Sequence, residues 1–90
     1  MLYLLRCADG SLYCGWTLDL DRRLDAHTSG RASKYTASRR PVEVAAAWRL
    51  DSPAAARRAE WALKQLTRRE KEGLVAGGPW ERLDGAERVA

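Results

Sequence analysis

Two short apolar segments separated by a glycine-containing turn constrain the fold of this chain most strongly. The segments Leu2 to Cys7 and Leu12 to Thr17 are dominated by apolar side chains, and Ala8-Asp9-Gly10 lies between them. This pattern predicts a β-hairpin. The length of its loop decides the register, because side chains alternate between the faces of a strand and a shift of one residue reverses them all.

A three-residue loop with Gly10 in the left-handed conformation pairs Tyr3 with Gly15 and Leu5 with Tyr13. In that register both tyrosines project from one face, and the glycine leaves open space beside Tyr3. A two-residue Asp9-Gly10 turn would put the tyrosines on opposite faces. The register therefore decides whether the two phenols can share a site.

The rest of the chain predicts one more strand and three helices. Residues Val42 to Leu50 alternate between apolar and other side chains, which is typical of a half-buried strand. The first helix is predicted over Asp19 to Thr28, with Thr17 or Asp19 as its cap and Gly30 as its stop. The second is predicted from Pro53 to about Leu66, after the capping Ser52. The third is predicted to begin at the capping box Thr67 to Glu70 and to run towards Gly77.

This order, β-β-α-β-α-α, predicts an α+β fold with a small three-stranded antiparallel sheet flanked by helices. We expect residues 1–76 to form one domain and residues 77–90 to form a partly ordered tail, with Trp80 able to pack back on the domain. Ninety residues, 46% of them hydrophobic, suit a single core.

Charge and composition narrow the class of partner and the compartment. Sixteen Lys and Arg against twelve Asp and Glu give a formal net charge of +4, which favours polyanionic partners. No apolar run is long enough to cross a bilayer and no secretory signal is visible, so we expect a cytoplasmic protein without a membrane partner. Cys7 and Cys14 lack the spacing of a zinc site and are expected to be small buried or half-buried hydrophobes.

The segment from Gly30 to Pro41 has no sustained period and is predicted to be an electropositive loop. Its cations and ring would suit binding to a nucleic-acid backbone, although charged loops are commonly just solvated. The candidate nucleic-acid-binding residues are Arg31, Lys34, Tyr35, Arg39 and Arg40.

Several spaced motifs together resemble the GIY-YIG nuclease family, and most closely its small stand-alone bacterial members. They are the hairpin sequence Tyr3 to Gly15, then Asp19-Leu20-Asp21-Arg22-Arg23-Leu24 with His27, then Lys34-Tyr35-Thr36, and finally the helix Arg58 to Lys64. The first triplet reads Met1-Leu2-Tyr3 without the family's glycine, and the second, Tyr13-Cys14-Gly15, has cysteine in place of isoleucine.

The resemblance implies a catalytic set of two phenols, a guanidinium, an imidazole and a carboxylate: Tyr3, Tyr13, Arg23, His27 and Glu60. It implies that Glu60 binds one divalent metal ion, Mg2+ or Mn2+, and that Arg23 clamps the scissile phosphate. Tyr3 would accept a proton from the attacking water, which calls for a phenolic pKa well below the usual ~10. Tyr13 would orient that water, and His27 would relay a proton or contact phosphate.

Each of these residues also has an ordinary interpretation. The tyrosines could be strand packing residues, Arg23 a solvated helix arginine, His27 a packing histidine, and Glu60 with Lys64 a surface pair four residues apart. No base-reading module is visible, so we expect preference for DNA structure over sequence. The sequence thus predicts a metal-dependent DNA endonuclease acting on single-stranded, flapped, branched or damaged DNA, as in DNA repair, with a possible need for a targeting protein. A non-catalytic nucleic-acid-binding module and an interaction domain unrelated to nucleic acids are the alternatives.

Overall fold

A four-stranded antiparallel sheet with helices on both faces organises the chain. The computed structural model describes all residues from Met1 to Ala90. The strands, which lie in the order β2-β1-β3-β4, are β1 (Leu2–Arg6), β2 (Leu12–Trp16), β3 (Glu43–Arg49) and β4 (Glu87–Arg88). The α+β class is confirmed. The expected number of three strands is wrong, because β4 adds two backbone pairs to the edge of β3 and is too short to leave an apolar pattern in the sequence.

The β-hairpin has the register expected from a three-residue loop. Tyr3 pairs with Gly15 and Leu5 pairs with Tyr13. The Cys7 amide donates to the Ser11 carbonyl at 2.9 Å, and Gly10 has a φ of 84°, in the left-handed region that favours glycine. Both tyrosines therefore lie on the same face of the sheet.

Four helices connect and cover these strands, and their starts follow capping chemistry. Their bounds are α1 (Leu20–Thr28), α2 (Lys34–Ala37), α3 (Pro53–Gln65) and α4 (Arg68–Val75). Of the two candidate caps for α1, Asp19 accepts from the Arg22 amide. Ser52 caps α3, and Thr67 and Glu70 form the predicted capping box of α4.

The short helix α2 corrects the expectation of a continuous loop between Gly30 and Pro41. The Ser33 hydroxyl accepts from the Tyr35 amide and so starts a single turn that sequence periodicity is too short to reveal. This turn presents Thr36, which is fully buried, to the inside of the protein.

Both faces of the sheet are buried, and a bulge in β3 decides which residue lies on which face. Leu4 pairs with Ala46 whereas Leu5 pairs with Val44, which leaves Ala45 as an extra residue. As a result Val44 packs with Tyr3 and Leu5 beneath α1, while Ala46 packs on the opposite face with α3 and α4. The prediction of one alternating face for the whole strand is wrong at this point.

The last residues pack against this core. A 3-10 turn, Glu81–Leu83, leads into β4, and Trp80 packs against the cluster formed by α3, α4 and the sheet, as expected. None of the helices combines the length and apolar character needed to span a bilayer.

Candidate active site

An open cleft of about 350 Å³ lies at the β2 edge of the sheet, where α1 and α3 approach it. Four of the five predicted catalytic residues line it, one from each of β1, β2, α1 and α3: Tyr3, Tyr13, Arg23 and Glu60. Gly15, Trp16, Thr17 and Leu18 complete the wall. Residues nearly sixty positions apart in sequence thus meet around one small volume.

The hairpin register explains how Tyr3 reaches this cleft. Tyr3 crosses over Gly15 on the neighbouring strand, and a Cβ atom built on Gly15 would lie 2.3 Å from the Tyr3 hydroxyl oxygen. No side chain fits there. Gly15 therefore holds open the space through which the phenol extends.

His27, the fifth predicted residue, lies behind Tyr3 instead of in the cleft wall. Its Nε2 atom is 3.1 Å from the Tyr3 hydroxyl and its Nδ1 atom is 2.8 Å from the Thr36 hydroxyl. The Tyr13 ring packs edge-on against the imidazole, with centroids 5.2 Å apart. Because only 1% of His27 is exposed, this position suits a proton relay and leaves no room for direct contact with a phosphate.

Burial dominates the titration of the Tyr3 and His27 pair. Burial raises the pKa of Tyr3 to about 12, against the opposing positive charge of Arg23. Burial, and next the charge of Arg23, lower the pKa of His27. Both side chains are therefore neutral at pH 7, and the raised pKa of Tyr3 is the opposite of the lowered value that the sequence analysis expected.

Glu60 is the single carboxylate in the cleft wall. Lys64, one turn further along α3, lies 3.3 Å from it. Nowhere in the chain do three or more histidine, cysteine or acidic side chains gather as a metal cage. One carboxylate beside an open cleft fits Mg2+ or Mn2+, which commonly bind through one or two carboxylates while water and phosphate oxygens complete the shell.

The five candidate nucleic-acid-binding residues lie outside the cleft wall, and one of them, Tyr35, contacts it through Tyr13. The Tyr13 and Tyr35 rings have centroids 5.7 Å apart, and the Arg39 guanidinium covers the Tyr35 ring at 3.8 Å. Tyr35 thus has neighbours on two sides while the residue stays 37% exposed.

The cations between Gly30 and Pro41 differ in how many hydrogen bonds and ion pairs they make within the protein. Arg39 donates to Asp9 at 3.0 Å, Arg40 donates to the Ala37 carbonyl, and Arg31 donates to Ser29. Lys34 is exposed and its ammonium makes no hydrogen bond or ion pair. Lys34 is therefore the cation of this loop most available to an external phosphate.

Sequence reasoning missed three features near the cleft. Thr36 left no signal of its role in the sequence, because the helical turn that carries it and its contact with His27 appear only in the fold. Leu18, in the cleft wall, is 77% exposed, and Trp61, the residue after Glu60, is 66% exposed. Singly exposed apolar side chains are common on protein surfaces, and their exposure alone assigns no function.

Comparison with known proteins places this arrangement in a family. The family model described as the GIY-YIG catalytic domain matches residues 1–73. The UPF0213 protein BH0048 of Halalkalibacterium halodurans is 48% identical over 82 residues, which cover 89% of this chain and 87% of that protein. The UPF0213 protein NP_0776A of Natronomonas pharaonis is 45% identical over 75 residues, covering 83% of this chain and 88% of that protein.

A solved structure agrees with the fold. The solution NMR structure of the UPF0213 protein BH0048 from Bacillus halodurans, 47% identical, covers 90% of this chain and 88% of that chain with a TM-score of 0.55. The family model spans the hairpin, the first helix and the helix that carries Glu60, which are the elements that build the cleft. The chain therefore belongs to the GIY-YIG family, a nuclease-type family, together with the small UPF0213 proteins.

Proposed function

We propose that this protein is a metal-dependent, structure-selective DNA endonuclease that hydrolyses one phosphodiester bond at a time. The observation that carries the proposal is the shared cleft, in which Tyr3, Tyr13, Arg23 and Glu60 surround a space large enough for a phosphate group. Strand packing alone gives no reason for a guanidinium and a carboxylate from different helices to line one wall with two phenols.

Arg23 and Glu60 divide the binding of substrate between them. The planar guanidinium of Arg23 presents two parallel donors to the non-bridging oxygens of the scissile phosphate and is always charged. Glu60 would hold the divalent cation, and a bound Mg2+ or Mn2+ ion would supply positive charge that stabilises the charge accumulating in the transition state. A single carboxylate favours one metal ion over a two-metal arrangement.

The two tyrosines handle the attacking water. Tyr13 orients the water by a hydrogen bond at the rim of the cleft. Tyr3 is neutral, with its pKa raised by burial to about 12, and therefore takes the water proton only as its own hydroxyl proton moves on to His27. The buried contact between Tyr3 and Nε2 of His27 is what supports a relay over a free phenolate base.

The surface around the cleft supports a preference for DNA with unpaired bases, as at flaps, branches, single strands or damaged sites. Leu18 exposes apolar surface in the wall that also holds Glu60, and Trp61 exposes an indole on the same helix as Glu60. A base that stacks on this indole has to be free of a partner strand. No helix or ribbon is arranged to read base edges in a groove, so we expect substrate shape, or a separate targeting protein, to direct cutting. Such selectivity would suit a role in DNA repair.

The test is a panel of single-stranded, flapped, branched and duplex DNA and RNA, incubated with pure protein and Mg2+, Mn2+ or EDTA. We expect metal-dependent nicking of DNA that contains unpaired segments. Arg23→Ala and Glu60→Gln should each lower the rate by at least about 10²-fold, with the fold and most DNA binding retained.

Matched controls are available beside the site. Arg22→Ala removes the neighbouring charge on the exposed side of α1, and Glu81→Gln removes an exposed carboxylate far along the chain. Both should cut like the unmodified protein. Binding without metal-dependent cutting across the whole panel would identify a non-catalytic binding module, and a lack of salt-dependent affinity for any nucleic acid would favour an interaction domain of another kind.

A further inference from the structure

A chain of three hydrogen bonds runs through the interior behind the cleft and ends on the peptide backbone. It passes from the Tyr3 hydroxyl to His27 Nε2 at 3.1 Å and from His27 Nδ1 to the Thr36 hydroxyl at 2.8 Å. It ends where the Thr36 hydroxyl donates to the Ser33 carbonyl at 3.4 Å. The three side chains are 2%, 1% and 0% exposed, so water does not take part along most of this path.

The backbone end of this chain favours one direction for its hydrogen bonds. A carbonyl oxygen can only accept, so the single hydroxyl hydrogen of Thr36 goes to Ser33. The Thr36 oxygen then accepts from Nδ1–H of His27. A neutral imidazole with its hydrogen on Nδ1 has a bare Nε2, which accepts the hydroxyl hydrogen of Tyr3.

The opposite direction satisfies fewer groups. If Thr36 donated to Nδ1 and Nε2–H donated to Tyr3, the Ser33 carbonyl would lose its Thr36 donor and keep only the Ala37 amide, which donates to it at 3.0 Å. Tyr3 would then turn its own hydrogen towards the cleft. The first direction gives all three hydrogens an acceptor inside the protein, as is usual for buried polar groups.

We propose that Thr36 is a positioning residue that holds His27 in the Nδ1–H tautomer, so that Nε2 receives the Tyr3 proton while Tyr3 receives a proton from the attacking water. The proposal rests on the proposed nuclease function and adds a fixed proton path to it. Thr36 touches no substrate and acts only through His27.

The proton balance of the step is complete. One O–H bond of the water breaks and its proton moves to the Tyr3 oxygen, while the Tyr3 hydroxyl proton moves to Nε2 of His27. The remaining hydroxide forms a bond to phosphorus, the phosphorus bond to the leaving oxygen breaks, and that oxygen takes a proton from solvent. His27 ends as an imidazolium whose Nδ1–H still donates to Thr36, and it returns its proton through Tyr3 to solvent.

The groups around His27 explain why this proton stays only briefly. From α1 itself Arg23 adds like charge, from β1 and β2 the two phenols Tyr3 and Tyr13 contact the ring, and from α2 the neutral Thr36 completes the surroundings. No carboxylate forms a hydrogen bond with the imidazole. Without such a counter-charge the imidazolium is disfavoured, which promotes return of the proton after each turnover.

The tautomer can be read directly from the ring nitrogens by long-range 1H–15N NMR. His27 is the only histidine of the chain, so its imidazole signals need no assignment by mutation. Above a pH of about 6.5 we expect Nδ1 to show the signal of a protonated ring nitrogen and Nε2 that of a bare one. A spectrum with the hydrogen on Nε2, the form that a free imidazole side chain favours in water, would overturn the proposal.

Two variants of Thr36 separate its hydroxyl from its bulk. Thr36→Val keeps the shape but removes the acceptor for Nδ1–H, and it should shift the tautomer towards Nε2–H and slow cleavage by about 10²-fold. Thr36→Ser keeps the hydroxyl and should retain both the tautomer and most of the rate. An unchanged tautomer in a folded Thr36→Val protein would refute the role of Thr36.

The NMR spectra test the tautomer and the cleavage rates test the nuclease function, so either proposal can fail while the other stands. If the protein cuts no substrate but shows the Nδ1–H tautomer and its dependence on Thr36, the positioning role stands and the nuclease function is lost. If it cuts DNA with Nε2 protonated, the nuclease function stands and the proton path is wrong. The spectrum of the unmodified protein decides the tautomer even if Thr36→Val does not fold.

Discussion

The Tyr3 ring lies across the backbone of Gly15, so near that a Cβ atom on Gly15 would stand 2.4 Å from the ring carbon that bears the hydroxyl. The two residues face each other in the hairpin register. Tyr3 can reach His27 and the cleft only because its partner on β2 has no side chain. The hairpin register is in this way a condition for the site.

Gly15→Ala should therefore displace Tyr3 and damage both stability and activity. Overpacking at such a contact costs roughly 1–3 kcal/mol of the free energy of unfolding, and the hydroxyl would lose its position against Nε2 of His27. Urea denaturation and the cleavage assay measure the two effects.

Gly73→Ala is the matched control for that substitution. Gly73 lies inside α4 with nothing within 4 Å of an added Cβ. Alanine there should raise the free energy of unfolding by roughly 0.5–1 kcal/mol and leave cleavage unchanged. Equal stability of the Gly15→Ala and unmodified proteins would contradict the contact described for Tyr3.

Arg23→Lys tests whether the shape of the cation matters as well as its charge. Lysine keeps the positive charge but lacks the planar fork that fits two phosphate oxygens. We expect cleavage to fall by about 10²-fold while overall affinity for DNA changes little. A lysine variant with full activity would show that Arg23 acts only as a point charge, and Arg22→Lys on the same helix serves as its control.

The burial of His27 should make stability depend on pH below about 6.5, in addition to the effect of the Met1 amino group, whose lowered pKa acts as the pH falls below about 8. The pKa of His27 is lowered in the folded protein, so at mildly acidic pH the unfolded chain binds a proton on His27 that the folded protein does not bind. The free energy of unfolding should consequently fall as the pH drops below about 6.5, with a slope of at most about 1.4 kcal/mol per pH unit, until the lowered native pKa is passed.

His27→Gln isolates this contribution, because no other histidine remains. The carboxylates with lowered pKa values, Asp9, Glu70 and Glu72, lose their contributions only at lower pH. Urea unfolding curves collected from neutral pH to about 5 should show a smaller slope for the variant. Identical slopes would mean that His27 is not held neutral.

The elements that sequence could predict are those whose local chemistry agrees with their packing. The Gly10 turn fixed the hairpin, and Ser52 and Thr67 cap helices where expected. The strand β4 could not be predicted, because Glu87 and Arg88 are polar and owe their strand geometry to the free edge of β3. The bulge at Ala45 was hidden for a related reason, since it arises from the pairing of β3 with β1.

For the site, residue identity was predictable but electrostatics was not. The resemblance to the family selected four residues that line one cleft, yet the pKa of Tyr3 depends on how deeply the ring is buried, which no linear motif records. The role of Thr36 could not be predicted for the same reason, because α2 brings it against a histidine that lies nine residues earlier in the chain. Likewise, the contacts of Arg39 with Asp9 and Tyr35 exist only after the loop has folded.

Trp61→Ala tests the preference for unpaired bases. If a base stacks on the exposed indole, its loss should weaken binding to single-stranded DNA by roughly 1–3 kcal/mol and leave binding to blunt duplex unchanged. Trp61→Phe keeps a stacking ring and should retain most of the affinity. Fluorescence anisotropy measures the affinity for both substrates. Equal losses of affinity for single-stranded DNA and for blunt duplex would indicate that Trp61 contacts the DNA backbone instead of a base.

Lys34, an exposed cation of the segment between Gly30 and Pro41, should contribute to the salt dependence of DNA binding. Lys34 is exposed and its ammonium makes no hydrogen bond or ion pair, so it can release a counterion when it meets a phosphate. Lys34→Ala should reduce the slope of log affinity against log salt by about 0.9 on duplex DNA. Arg39 is already paired with Asp9 and stacked on Tyr35, so its release would first cost those contacts.

Arg69→Ala, which removes an equal charge from the exposed side of α4, should leave the slope unchanged, because a phosphate bound in the cleft lies away from that helix. An equal drop in slope for the Lys34 and Arg69 variants would mean that net charge alone, and no defined loop contact, attracts DNA to this protein.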